Sequence, residues 1–315
     1  MTRFFLKRML TAAAQILIVV TIVFFALHMM PGDPVMLMLS GDGSSVDPEA
    51  YQLLYHELGL DLPLHTQYIH WIQGLFSGDL GMSYSEQIPV VEAIALRLPR
   101  TLELAFAALI LSCLIGIPLG IISANRRGSF TDLSLTVFSS LGNSIPVYVF
   151  GYILVVIFAL WLNLLPSSGY VMASKSVAEH YRRMILPACA LALSMASSTL
   201  RMTRSSMLEA MASESITPLR AKGLSRRYVI CKHVMRNMLI PVVTIIGLQM
   251  GNLIAGTVLC EAVFNWPGIA TLLVNAINNR DYPLIQGCML VMSAIFVLIN
   301  MTVDLLYGVL DPRTR

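Results

Sequence analysis

The chain has 315 residues, 56% of them hydrophobic and only 12% charged, with a net charge of +3 and a mean hydropathy of +0.72. Soluble domains average about 25% charged residues, so an ordinary water-soluble fold is excluded. The net charge is small, its placement matters more than its size, and no nucleic acid is expected as a partner.

The first expectation is an all-α, polytopic membrane protein. A helix needs about 20 apolar residues to cross roughly 30 Å of hydrocarbon. Lipid leaves no backbone polar group unpaired, so each crossing must be helical. Six runs qualify, at 9–30, 102–124, 133–162, 184–202, 239–260 and 284–307. The first exceeds the about 7–15 residues of a signal-peptide core, lacks a small-residue cleavage site, and is read as a retained span. The cysteines, Cys113, Cys189, Cys231, Cys260 and Cys288, form no CxxC pair and are read as small apolar packing residues.

Basic residues set the orientation. With the amino terminus inside, Arg97, Arg100, Lys175, Arg182, Arg183 and Arg280 fall outside, and the other fifteen of the 21 Lys and Arg fall inside. Cytoplasmic loops are enriched in Lys and Arg, so both termini are expected in the cytoplasm. Three parts follow: residues 1–30 with the first span, an extracytoplasmic loop at 31–98 with short helices, and a core of five spans at 99–315.

In the outer loop Asp47-Pro48 reads as a helix cap and first position. Tyr51, Leu54, Tyr55 and Leu58 recur at helical spacing, and Gly59 can close that helix. A second stripe, Tyr68, Trp71, Ile72 and Leu75, follows. Both helices are expected to lie against the spans, as a structural lid or as a docking surface for an external partner. The third apolar run carries Gly142, Asn143 and Pro146, where a tilt, kink or break is expected.

The segment 205–238 interrupts the apolar pattern. Between Leu219 and Asn237 stand Arg220, Lys222, Arg226, Arg227, Lys232, His233 and Arg236. Thr217-Pro218 repeats the cap signal, and Gly223 stands where a short helix would end. Ser225 can cap a second helix, with Cys231, Val234, Met235 and Met238 on one face. The pattern predicts two short helices about a Gly turn, resting on the membrane domain. A protein-docking knuckle, a basic juxtamembrane loop and a lipid-binding helix all remain open on this pattern.

Inside the spans charge is costly. Glu103, Glu261 and Asp304 lie near span ends and are read as interfacial anchors. Asn143, Ser144, Gln249 and Asn252 are candidates for a wet translocation path, or for interhelical hydrogen bonds. Among the histidines only His28 falls within a predicted span.

The segment Leu219-Arg220-Ala221-Lys222-Gly223, with His233-Val234-Met235-Arg236-Asn237 and Pro241, resembles the EAA loop of ABC-importer permeases. The likeness is to the dipeptide, oligopeptide and nickel family, on its long-first-loop branch. It extends to Pro31-Gly32-Asp33-Pro34, Leu58-Gly59-Leu60-Asp61 with Pro63 and Gln67-Tyr68, Gly78-Asp79-Leu80-Gly81 and Thr101-Leu102-Glu103-Leu104. Phe264-Asn265-Trp266-Pro267-Gly268, Arg280-Asp281-Tyr282-Pro283 and Asp311-Pro312-Arg313 complete the series along the whole chain.

The resemblance implies a type I importer permease in a bacterial inner membrane, importing small peptides. Nickel, a metal–chelator complex or glutathione are its alternatives. It implies a second homologous permease, two ABC ATPase subunits, an extracytoplasmic binding protein and the lipid bilayer as partners. Thr217, Pro218, Leu219, Arg220, Ala221, Lys222, Gly223, Ser225, His233 and Arg236 would form the ATPase-coupling loop. Thr217, Pro218 and Leu219 stand where the general pattern has Glu-Ala-Ala, which implies a shorter first coupling helix or a dedicated ATPase with an altered fit. The chain has no GxxxxGK[ST] P-loop, so ATP and Mg are expected on the partners, with no cofactor or enzyme activity here. His65 and His70 are five apart, poor spacing for one helical metal face, and no metal site is expected. Neither deep titratable residues nor inverted repeats favour a secondary transporter.

Overall fold

The computed structural model describes residues 2–29, 32–39, 47–213, 216, 218 and 223–310. Its helices are α1 (Thr2–Met29), α2 (Pro34–Leu39), α3 (Pro48–Glu57), α4 (Leu64–Ser77), α5 (Val90–Asn125), α6 (Phe130–Ser144) and α7 (Val147–Leu154). There follow α8 (Val177–Ala212), α9 (Arg226–Val229), α10 (Met235–Phe264), α11 (Ile269–Asn278) and α12 (Tyr282–Leu310). Val155–Trp161 and Ile230–Val234 wind as π-helix. The described residues contain no strand, and one isolated bridge joins Met82 to Pro89.

Among the described residues, α1, α5, α8 and α12 each hold a stretch long and apolar enough to cross a membrane, as does Arg227–Gly251, which runs from α9 through the π turn into α10. The remaining predicted run is α6 with α7, bent by 105°. The break has a local cause. Pro146 has no N–H to give and crowds the residue before it out of the helical region. Ile145 is accordingly extended, at ψ 121. The composition thus marked the interruption, and the structure makes it a break.

The chain divides into two compact units, Met1–Arg100 with Pro267–Val297, and Thr101–Trp266 with Leu298–Arg315. In the first, α4 lays its aromatic stripe on α1: Trp71 stacks on Phe24 at 5.9 Å, Tyr68 on Phe25 at 5.8 Å, and Tyr68 Oη meets Thr21 Oγ1 at 2.8 Å. Asp47 caps α3 by accepting from Glu49 N at 3.1 Å, and Gly59 takes φ +67 just beyond that helix, both as expected. The sequence reading missed α11. It is a ten-residue amphipathic helix that buries Ile269, Leu272 and Leu273 against Val90, Ile94 and Leu284.

In the second unit α8 is the central helix, packed against α6, α7 and α10. Ser176 and Glu179 give its start the Ser-x-x-Glu pattern, and Ser176 Oγ accepts from Glu179 N at 3.4 Å. Lipid supplies no hydrophobic drive between helices, so close packing of small residues decides such contacts. A β-carbon on Gly116 would fall 2.8 Å from Ala196 O and from Thr199 Cβ; one on Gly120 would fall 2.6 Å from Thr203 Cβ. Gly116-Ile117-Pro118-Leu119-Gly120 is therefore a GxxxG seam through which α5 meets α8.

Candidate functional site

Of the predicted coupling residues, Pro218, Gly223, Ser225, His233 and Arg236 are described. Thr217, Leu219, Arg220, Ala221 and Lys222 lie outside the described residues. Gly223 sits at φ +76, exposed, with nothing within 4 Å of where a β-carbon would stand. The left-handed turn there belongs to the backbone, not to packing. Ser225 caps the next helix: its Oγ accepts from Tyr228 N at 3.4 Å and its carbonyl from Val229 N at 3.1 Å.

The buried face of this segment differs from the helical expectation. Val229, Val234, Met238 and Val242 are fully or nearly buried, whereas Cys231 is exposed. The π turn at Ile230–Val234 adds one residue per turn, so the apolar face moves and Cys231 rotates outward. Those four residues and Ile216 pack on Ala124 of α5 and on Met207 and Ala210 of α8. Exposed on the other side are Arg227, Tyr228, Lys232 and Arg236. Lys232 Nζ donates to Tyr228 Oη at 2.8 Å, and half-buried His233 meets the Tyr228 ring edge-on. The result is a compact apolar base under a basic, solvent-facing surface.

The candidate path residues separate. Asn143 and Gln249 both bond α8. With the Asn143 carboxamide nitrogen donating to Ser198 Oγ at 3.0 Å and Ser194 O at 3.1 Å, its oxygen accepts from Arg201 Nη2 at 2.7 Å. The opposite orientation would set an NH2 group against the guanidinium. Gln249 Nε2 donates to Met195 O at 3.3 Å, and its Oε1 accepts from Thr199 Oγ1 at 3.4 Å. Ser144 is exposed and donates to Ser140 O of its own helix at 2.9 Å. The Asn252 side chain lies outside the described residues.

Two family descriptions match the chain. "Binding-protein-dependent transport system inner membrane component" matches residues 116–315, and its N-terminal membrane component matches residues 1–105. The chain belongs to the family of binding-protein-dependent ABC-importer permeases. The dipeptide transport system permease DppB of Escherichia coli (strain K12) is 39% identical over 100% of this chain and 99% of its own length. The glutathione permease GsiC of Salmonella typhimurium is also 39% identical, with the same coverage, and a probable peptide permease of Sinorhizobium fredii is 37% identical over 99% of both. Among solved structures, an inward-facing MetNI methionine transporter gives a TM-score of 0.56 at 18% identity, covering 70% of this chain and 96% of that one. An amino acid ABC transporter gives 0.52 at 12%, covering 69% and 94%. The fold is that of ABC-importer permeases. As a member, the chain is a multi-pass inner-membrane subunit that works with a binding protein and an ATPase and is not itself an enzyme.

Within this permease the described structure gives roles to residues that sequence reasoning left as anchors or missed. Glu103 and Glu261 do more than mark span ends. Glu103 Oε1 meets His180 Nε2 at 2.6 Å, and His180, 1% exposed, also bonds Val171 O at 2.7 Å. His28 is thus not alone: His180 stands in the first turn of α8. Fully buried Glu261 accepts from Thr101 Oγ1 at 2.6 Å. The side chain of Asp304 lies outside the described residues. Asp132 was missed. Its carboxylate, 5% exposed, takes Arg204 Nε at 2.7 Å and Nη2 at 2.9 Å, Ser123 Oγ at 2.5 Å and Gly128 N at 2.9 Å. The signal was an acid just after Arg126-Arg127-Gly128-Ser129, at the start of an apolar run.

The motifs of the first unit act as joints. Asp33 caps α2 through Val35 N at 2.8 Å and accepts from Tyr51 Oη, a bond that pushes the phenol pKa up to about 12. Gln67 reaches His28 at 3.1 Å and Leu62 O at 2.8 Å. Fully buried Asp281 gathers Ser83 Oγ, Ser85 N, Ser85 Oγ and Leu284 N at 2.6–3.1 Å. Burial, followed by the charge of Asp281, raises the pKa of Tyr84 well above the usual phenol range.

Proposed function

We propose that this permease carries small peptides inward, paired with a second homologous permease and two ATPase subunits and fed by an extracytoplasmic binding protein. The observation that carries the substrate is the end-to-end 39% identity to the dipeptide permease of Escherichia coli. Glutathione, itself a tripeptide, is the second reading, on an equal identity to GsiC.

Both termini and the segment 205–238 lie in the cytoplasm in this proposal. The basic surface about Gly223, on its base of Val229, Val234 and Met238, docks on the ATPase. ATP and Mg bind the ATPases, and closure of that pair moves the knuckle. Nucleotide can drive the change only by binding one state more tightly than the other. Asn143 and Gln249, with Ser144 and Asn252, supply the polar groups of a path between the two permeases. Substrate passes without covalent chemistry.

The test is uptake of labelled dipeptide, glutathione and nickel by cells with and without this chain. Dipeptide uptake that falls on deletion supports the proposal. Loss of nickel uptake alone overturns it.

A further inference from the structure

Arg201 and Arg204 stand one turn apart on α8, about 4.5 Å along the axis at 1.5 Å per residue. Their guanidinium groups part company. Arg204 is held by Asp132 in the first turn of α6, and Arg201 by Asn143 in its last turn. Asp132 and Asn143 are eleven residues apart, or about 16 Å along α6. Arg201 is thus drawn toward the amino-terminal, apolar part of α8, and Arg204 the other way.

A lone arginine near a span end normally extends its head toward the nearer interface. Arg201 does the reverse. It remains exposed on the surface of the chain, and its guanidinium is paired with no carboxylate among the described residues. Ser194, Ser198 and Arg201 follow at i, i+4 and i+7, so hydroxyl and guanidinium share one face of α8. An exposed guanidinium held there needs water or an oxyanion in front of it. One of its five N–H groups donates to Asn143, which fixes the fork and leaves other N–H groups to donate to the oxygens of a carboxylate.

We infer that Arg201, positioned by Asn143, is a specificity residue of the translocation path that takes the carboxylate of the transported peptide. The inference rests on the peptide reading above. A fixed guanidinium favours substrates that end in a carboxylate and repels a bare divalent cation. The same oxyanion chemistry could come from a lipid phosphate, and the test separates the two.

The complete transporter is placed in vesicles with saturating loaded binding protein, and labelled dipeptide imported per ATP hydrolysed is measured for wild type, R201Q and R201K. The expected result is an about tenfold fall for R201Q and partial recovery for R201K, which keeps the charge without the fork. An unchanged ratio in R201Q overturns the inference. So does loss of ATP hydrolysis and transport together in both variants, which places Arg201 in assembly or coupling. A defect confined to vesicles containing anionic lipid assigns the guanidinium to lipid instead. No dipeptide import by the unaltered complex sinks the peptide reading and this inference with it, whereas import per ATP that is undiminished in R201Q sinks this inference alone.

Discussion

Arg204 grips Asp132 through two parallel hydrogen bonds, Nε to Oδ1 at 2.7 Å and Nη2 to Oδ2 at 2.9 Å, and so ties the turn at 126–129 to α8. Removing one partner of a buried pair leaves a charge uncompensated, typically at about 3–5 kcal/mol. Arg204 keeps 29% of its side chain in contact with solvent, so Asp132→Ala should fall at or below the low end of that range. Adding Arg204→Met should recover part of the loss. Thermal unfolding of the purified complex for both single variants and the double checks this. Losses that simply add would mean that the pair is not coupled.

The seam at Gly116 and Gly120 makes a different demand. A β-carbon on Gly120 would meet Leu200 O at 2.7 Å as well as Thr203, and backbone cannot step aside as a side chain can. Gly120→Val should therefore separate α5 from α8 and sharply reduce the yield of folded protein, with Gly116→Val close behind. Gly256, inside α10, has nothing within 4 Å of a β-carbon position. Gly256→Ala should be neutral or stabilise by up to about 1 kcal/mol, because Ala costs less backbone entropy in a helix. Detergent-solubilised yield and melting temperature compare the three.

These contacts mark where sequence reasoning reached and where it stopped. Signals that act within a few residues were legible: Asp47 and Ser225 as caps, Pro146 as a breaker, Gly223 as a left-handed turn. The Tyr68 and Trp71 stripe on α4 was legible too, since a 3.6-residue period implies a partner surface. The π turn at Ile230–Val234 has no local signature, so Cys231 was placed on the wrong face. Asp132 with Arg204, and Glu103 with His180, pair across 72 and 77 residues. No period or spacing announces such partners. The short helix α11 lacked the length of a span and was passed over. The Gly116–Gly120 seam was available to be read, because GxxxG in an apolar helix is itself a packing signal.

Asp281 offers a test of the first unit. Its carboxylate is fully buried and accepts from Ser83, from Ser85 twice, and from Leu284 N at the start of α12. Asp281→Ala strands several donors at once, each at about 1–3 kcal/mol when buried without a partner. The expected outcome is local opening of the segment about Ser83 and Ser85. Limited proteolysis should then cut between 80 and 90 faster than in wild type. Asp281→Asn keeps an acceptor and should show a smaller change.

Gly223 is where fold and function can be separated. Its φ of +76 disfavours any residue with a β-carbon, by about 1–2 kcal/mol, and most strongly a β-branched one. Nothing packs against it, so Gly223→Val should leave the protein folded and inserted while opening the turn of the proposed coupling knuckle. Transport by the reconstituted complex should fall well below that of wild type. Binding-protein-stimulated ATP hydrolysis should become irregular or lost. Gly223→Asn is the discriminating control, because Asn enters the left-handed region more readily than other side-chain-bearing residues. It should keep most of the transport that Val loses. If Val and Asn variants both transport and hydrolyse ATP at wild-type rates, the turn at Gly223 does not couple this permease to its ATPase. If both fail equally, the site rejects bulk of any kind, and contact with the ATPase, not backbone conformation, sets the requirement for glycine.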